Sequence, residues 1–172
     1  GSETFEVFQN VPSGSGFPFQ RVEGFVLDKG LRAPFTLVEG GDTFYFIGGG
    51  DNEQPVVRRL AGNTTERVST DGIDVILRKL TPEEKASAFA FSYSEDGSSF
   101  IAFAVGATTL VYDAVSGEWH ERRSLVDIPG DGVRDVRWRV NSLVQAYGKL
   151  IVADSQDGRI GELSPDFYDE YG

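Results

Sequence analysis

Cysteine is absent from this 172-residue chain, and His120 is its only histidine. Without cysteine there are no disulfides, no cysteine-bound zinc, no iron–sulfur cluster and no thiol nucleophile. A single histidine cannot form a multi-histidine metal site within one chain. We therefore expect no metal and no cofactor.

Positive charge and long apolar runs are also scarce. The chain has 16 Lys and Arg residues against 27 Asp and Glu residues, a formal net charge of −11 at pH 7. This charge opposes attraction to nucleic acid and to anionic lipid. No apolar run approaches the roughly 20 residues of a membrane-spanning helix. We expect a soluble protein without a signal peptide or anchor, and with no direct grip on nucleic acid.

The length and the remaining composition are those of one ordinary domain. Hydrophobic residues make up 40% of the chain and charged residues 25%, as in soluble globular proteins. A chain of this length can bury a core of its own. Gly1-Ser2 is typical of a remnant of an expression vector, so we assign residues 3–172 to a single domain.

Short alternating or apolar runs separated by Gly and Asp turns dominate the chain, a pattern typical of an antiparallel all-β fold. Residues 35–51 and 55–69 each predict two strands, which together form a four-stranded meander. Residues 86–124 predict a second four-stranded meander, and residues 137–163 a third with only three strands. Successive meanders of roughly 40 residues are typical of propeller blades. We expect a β-propeller-like fold.

The segment between the first two meanders predicts a short helical insert at about 71–87. Ser69 or Thr70 can cap a first helix, and Thr81 followed by proline and two glutamates is the start signal of a second. A weaker helical pattern covers residues 21–30. Residues 11–18 have the composition of an exposed loop.

The strand missing from the third meander would leave a row of unpaired backbone groups. Residues 4–10 are the one strand-like segment that is otherwise unassigned, and their alternation is apolar enough for a covered strand. We therefore predict that residues 4–10 pair with the third meander.

The stretch WHERR is the most chemically suggestive part of the sequence. In a hairpin that turns at Ser116-Gly117, Trp119, Glu121 and Arg123 share one face of the last strand, and His120 and Arg122 share the other. No Ser/Asp relay can be assigned around His120 by spacing, so we predict no catalytic residue. Trp119, Arg122 and Arg123 are candidate contacts to a protein partner.

Other motifs have simpler interpretations as turns. The Gly-rich residues 47–52 lack the Lys-Ser/Thr of a P-loop and are not followed by a helix. The acidic turns at 94–98, 127–132 and 154–158 lack the ligand spacing of an EF-hand. Residues 94–100 approach the Asp-box of sialidase-type propellers without its spacer residue, so a carbohydrate-binding or glycan-hydrolysing propeller remains an alternative.

The order of these elements resembles the packaged-DNA stabilisation proteins of short-tailed bacteriophages, which form a tail hub under the portal. The similarity runs through residues 25–50, 67–104, 110–124 and 148–163. Its most specific part is the Ser69-Thr70 turn with the two helices that follow, and then the strand pair that ends in Val111-Tyr112-Asp113.

The resemblance implies a structural protein of the virion tail, with a β-propeller-like domain and no catalytic residues. Such a protein closes the portal channel and retains the packaged genome through protein–protein assembly. It also implies a homo-oligomeric ring and partners among the other tail proteins, namely an adaptor ring, a needle, and fibres or spikes. Family members are considerably longer, so we expect this chain to be a fragment of a longer protein.

Overall fold

Alternating apolar residues and Gly-containing turns produce a molecule built of strands. The computed structural model describes residues 4–11 and 16–166, which contain fifteen strands and two helices. Gly1-Ser2 and part of the 11–18 loop lie outside the described residues. The elements are β1 (Phe5–Asn10), β2 (Phe19–Leu27), β3 (Gly30–Leu31), β4 (Val38–Gly40), β5 (Thr43–Gly49), β6 (Val56–Ala61), β7 (Thr64–Arg67), α1 (Asp71–Lys79), α2 (Pro82–Ser87), β8 (Phe89–Glu95), β9 (Ser98–Val105), β10 (Thr108–Asp113), β11 (Trp119–Ile128), β12 (Gly132–Arg137), β13 (Val140–Ala146), β14 (Lys149–Asp154) and β15 (Ile160–Leu163).

Three antiparallel sheets correspond to the three predicted meanders. Blade 1 is β4 to β7, with the short β3 added beside β5. Blade 2 is β8 to β11, and blade 3 is β13 to β15. The predicted all-β fold class is therefore confirmed, including the helical insert between the first two meanders and the three-stranded third one.

The sheet of blade 2 lies between the other two and is covered on both faces. On one face, Ile101, Phe103 and Val105 pack against blade 1 and the helices. On the other face, Ala102 and Val111 pack against blade 3. Alternate residues of one strand therefore belong to two different cores, as the two-residue period of a strand requires.

The first strands of the blades are neighbours, as in a propeller. The Ala90 amide donates to the Phe35 carbonyl at 3.0 Å, and Phe35 forms a parallel bridge with Phe89. These bonds join β8 to the segment that leads into β4. Strand β8 also contacts β13. The blades thus converge on β8.

Both helices begin where the capping residues predict. The Thr70 side chain accepts from the Ile73 amide at the start of α1. At α2, the Thr81 hydroxyl accepts from the Glu84 amide at 3.2 Å, and the Glu84 carboxylate accepts from the Thr81 amide at 2.8 Å. This reciprocal pair is a capping box, which satisfies two amides that the helix leaves free. Helix α1 then buries Leu77 completely against blades 1 and 2.

The helical prediction for residues 21–30 is wrong, because this segment contains most of β2 and the first residue of β3. Strand β2 pairs with β1, and the register jumps from Glu6 opposite Val26 to Phe8 opposite Arg21. Within the extra residues, Gly24 adopts a φ of 75°, a left-handed conformation that suits glycine. The bulge breaks the two-residue alternation, so the apolar spacing imitates a helix.

Residues 4–10 do form a strand, but the prediction that it pairs with the third meander is wrong. Strand β1 pairs with β2 in a two-stranded ribbon. A short connection closes a local hairpin at a lower entropic cost than a pairing across the whole chain. Much of the ribbon is exposed, although the Phe5 ring meets the Phe46 ring of blade 1 at 5.0 Å.

Strand β12 was not predicted. Strand β11 continues past blade 2 to Ile128, and Arg123–Ile128 pairs with Gly132–Arg137. We call this projecting hairpin, residues 123–137, the arm.

Among the described residues, no helix is long and apolar enough to cross a membrane.

Leu77→Ala should lower the free energy of unfolding by about 2–5 kcal/mol, because it leaves a cavity where α1 meets both blades. Urea denaturation followed by circular dichroism measures this. Val75→Ala on the exposed side of the same helix is the control and should change stability by less than about 0.5 kcal/mol. Equal effects of the two substitutions would show that α1 is not packed as described.

Candidate protein interaction site

Strand β11 carries all three residues predicted to contact a partner. Its first half, Trp119 to Arg122, pairs with β10 inside blade 2. Its second half, from Arg123 onward, pairs with β12 in the arm. The strand therefore connects blade 2 to the arm.

Trp119 faces blade 1. Its indole N–H donates to the Val68 carbonyl at 3.0 Å, and its ring lies 5.1 Å from that of Tyr112 and 6.1 Å from that of Phe103. The N–H of a partly buried tryptophan needs a hydrogen-bond partner, and here that partner lies just before α1. The Trp119 side chain therefore connects blade 2 to the segment between β7 and α1.

Arg122 faces blade 3, as the strand alternation predicts. Its guanidinium carbon lies 5.0 Å from the centre of the Trp138 ring and 5.4 Å from that of Tyr93. The guanidinium also pairs with the Glu95 carboxylate at 3.6 Å. Tyr93 and Glu95 belong to β8 of blade 2, and Trp138 lies in the segment that leads into blade 3. The Arg122 cation therefore connects blade 2 to the start of blade 3 through the Trp138 ring.

Arg123 is the most accessible of the three. Its side chain is 51% exposed, against 26% for Arg122. It pairs with Glu121 at 2.9 Å and with Asp135 of β12 at 3.4 Å. The structure thus separates the three residues into two that serve internal contacts and one at the base of the arm. A role of these residues in partner contact stays a prediction.

His120 lies on the blade 3 side of β11, next to Arg122 in space. Its ring meets the Phe100 ring edge-on at 5.8 Å. Partial burial, together with the nearby Arg122 guanidinium, lowers the pKa of His120 below its usual value. Among the described residues, no serine or acid is hydrogen bonded to the ring, so the geometry offers no relay for acid–base catalysis.

Exposed apolar side chains occur together on three surfaces, and others, such as Phe35 and Val115, lie elsewhere. On the arm, Leu125 and Val133 are 66% and 65% exposed and belong to the same face of the hairpin. The arm was missed from sequence because charged residues, among them Asp127, Arg134 and Asp135, interrupt the apolar pattern of its two strands. The other two surfaces are the β1–β2 ribbon and the outer face of blade 3, whose exposed apolar residues are Phe8, Phe17, Phe19 and Val26 on the ribbon and Val144 and Ile160 on blade 3.

Two of the cavities in the described part of the chain lie beside the blades. The first, of about 240 Å³, lies where the three blades meet and is lined by Gly41, Ser92, Tyr93, Ser94, Ser99, Leu143, Gln145 and Leu150. The second, of about 680 Å³, lies between the β5–β6 loop and α2, and its charged lining residues are Arg32, Asp51, Glu53 and Lys85. Among residues 4–11 and 16–166, no group of three or more Asp, Glu or His side chains could hold a metal ion.

Comparison with known families decides the class of protein. The family described as "Bacteriophage P22 Gp10, beta-propeller" matches residues 1–168. The chain belongs to this family of phage stabilisation proteins. The family assignment confirms the resemblance found in the sequence and the β-propeller fold class, and it makes the chain a structural protein of a phage virion. A search of the curated proteins found no match.

His120→Asn should change the free energy of unfolding at pH 7.5 by less than about 1 kcal/mol, as at other partly exposed strand positions. Because the folded pKa of His120 lies below the unfolded one, the unfolded state takes up the proton more readily as the pH falls through 6.5. The parent chain should therefore lose a little stability between pH 7.5 and 5.5, and His120→Asn should lose less. Melting temperatures at the two pH values measure this; identical pH slopes would contradict it.

Arg122 and Arg123 are adjacent in the sequence, so substituting each in turn compares an internal contact with an exposed ion pair. Arg122→Ala should lower the free energy of unfolding by about 1–2 kcal/mol, because it removes a largely desolvated cation from two aromatic rings. Arg123→Ala should leave unfolding unchanged, since exposed ion pairs contribute little. Chemical denaturation of both variants gives the comparison. A larger loss for Arg123→Ala would reverse the assignment of the two side chains.

Proposed function

We propose that this protein is a structural component of a phage tail hub, which closes the portal channel and retains the packaged genome through protein–protein assembly. The observation that carries the proposal is the family match over residues 1–168, combined with the exposed apolar residues of the arm, the β1–β2 ribbon and blade 3. A protein that works by assembly needs such surfaces and does not need a reaction site.

The net charge of the chain favours a function through protein–protein assembly over direct DNA binding. Each phosphate contact requires a free cation, and a net charge of −11 repels the duplex. Many of the cations are already paired with carboxylates of this chain, among them Lys29, Arg58, Arg59, Arg67, Arg139 and Lys149. Retention of the genome would then come from a physical plug.

The proposed partners are further copies of the chain in a ring and other tail proteins, namely an adaptor ring, a needle, and fibres or spikes. The arm is the surface best placed for such contacts. Its base carries the accessible Arg123, and Leu125 and Val133 lie exposed beyond it. Its charges balance, with Arg123, Arg134 and Arg137 against Asp127, Asp131 and Asp135, so it avoids the repulsion that opposes contact between acidic proteins.

The alternative function, carbohydrate binding or glycan hydrolysis, finds less support in the cavities. Glycoside hydrolysis needs two carboxylates on either side of the scissile bond. The 240 Å³ cavity has no carboxylate in its lining. In the 680 Å³ cavity, Glu53 is held in ion pairs with Lys29 and Arg58, and the lining has no aromatic ring for stacking. We propose that the protein is not an enzyme.

Gold-labelled antibodies raised against this chain and imaged on intact virions by electron microscopy test the tail position. Label confined to the tail vertex is the expected result, with antibodies to a major capsid protein as the control for label spread over the shell. Particles depleted of the protein should also lose nuclease-protected DNA. Label over the whole capsid, or full genome retention without the protein, would refute the proposal.

A further inference from the structure

The two seams between blades differ in how much apolar surface they bury. In the described part of the chain, the core between blade 1, the helices and blade 2 contains twelve buried residues. The core between blades 2 and 3 contains five, of which only Val140 belongs to a strand of blade 3. The remaining apolar side chains of blade 3 at this seam, Leu143, Leu150, Val152 and Leu163, are only partly buried. The second seam therefore receives much less hydrophobic stabilisation.

Hydrogen bonds strengthen the same contrast. Blade 1 is joined to blade 2 through the Ala90 amide and the Phe35 carbonyl, and through the Trp119 indole and the Val68 carbonyl. Blade 3, like blade 1, forms a separate sheet. Its link to blade 2 runs through the connecting segment, where the Arg139 amide donates to the Ser124 hydroxyl at 3.0 Å. That bond lies at the start of blade 3 and holds only this end of the blade.

The second seam is also imperfectly packed at its centre. The Tyr93 hydroxyl is buried there and has no hydrogen-bond partner among the described residues, which costs free energy. Its burial also raises the pKa of Tyr93 to about 12. Beside it lies the 240 Å³ cavity between Ser92 of blade 2 and Gln145 of blade 3. Arg122, which pairs with Glu95 inside blade 2, lies over the Trp138 ring at the start of blade 3.

We infer that blade 3 opens from blade 2 as a unit, pivoting at residues 137–139, while blades 1 and 2 stay closed. Few buried apolar contacts, a cavity and an unpaired buried hydroxyl are the features of a segment with a low free energy of local opening. Opening uncovers the apolar face of blade 2 that contains Ala102 and Val111, together with Trp138. This device is independent of the proposed role in the tail.

Thiol labelling measures the opening directly, because the chain has no cysteine of its own. Val140→Cys and Ala102→Cys place a buried thiol at the second seam, and Val57→Cys and Ala33→Cys place one at the first. Under native conditions, Val140→Cys should react with a disulfide reagent at least tenfold faster than Val57→Cys. Ala102→Cys should likewise react at least tenfold faster than Ala33→Cys. Two pairs are used so that one poorly folded variant does not decide the result.

Adding Glu95→Gln removes the carboxylate that pairs with Arg122, and so weakens the hold of Arg122 on the Trp138 ring. This variant tests whether that contact keeps the second seam closed. It should raise the labelling rate of Val140→Cys several-fold and leave that of Val57→Cys unchanged. Equal rates at the two seams, both following global unfolding, would overturn the inference. A Glu95→Gln substitution that raises the labelling rates at both seams by the same factor would also overturn the inference.

Discussion

Strand β9 is the element on which the rest of the fold depends, because it is apolar on both of its faces. Residues 101–105 are all fully buried, with odd and even positions in different cores. Burying one large side chain of this kind contributes about 1.5–3 kcal/mol. A single strand thus stabilises two interfaces at once, and neither neighbouring blade could be removed without exposing one of its faces. The order of the three sheets follows from this constraint.

The elements that could be predicted from sequence are those with local signals. Thr70, Thr81 and the glutamates after Pro82 specify their helices within one turn, and tight turns such as that at Gly97 separate neighbouring strands. Residues 4–10 were also recognisable as a strand, since alternation is a local property. Their partner was not recognisable, because strand pairing depends on competition between closing a nearby hairpin and reaching a distant edge. The bulge around Gly24 hid the actual partner by disturbing its period.

The roles of the WHERR side chains could be predicted only in part. Alternation correctly placed Trp119 and Arg122 on opposite faces, because that follows from strand geometry alone. What each face meets depends on Val68 and on Trp138, which lie far away in the sequence. A tryptophan next to arginines has the composition of an interface, and two of these side chains do serve interfaces, between blades of the same chain. Composition does not distinguish an internal interface from an external one.

The continuity of β11 makes it a mechanical element as well as a structural one. Ten residues of strand span about 33 Å without a break. One end is hydrogen bonded into blade 2 and the other forms half of the arm. A pull on the arm is therefore carried along the covalent backbone to Arg122 and Trp119, and reaches both sides of blade 2 together. The arm and the contacts on both faces of blade 2 are thus linked by a single stretch of chain.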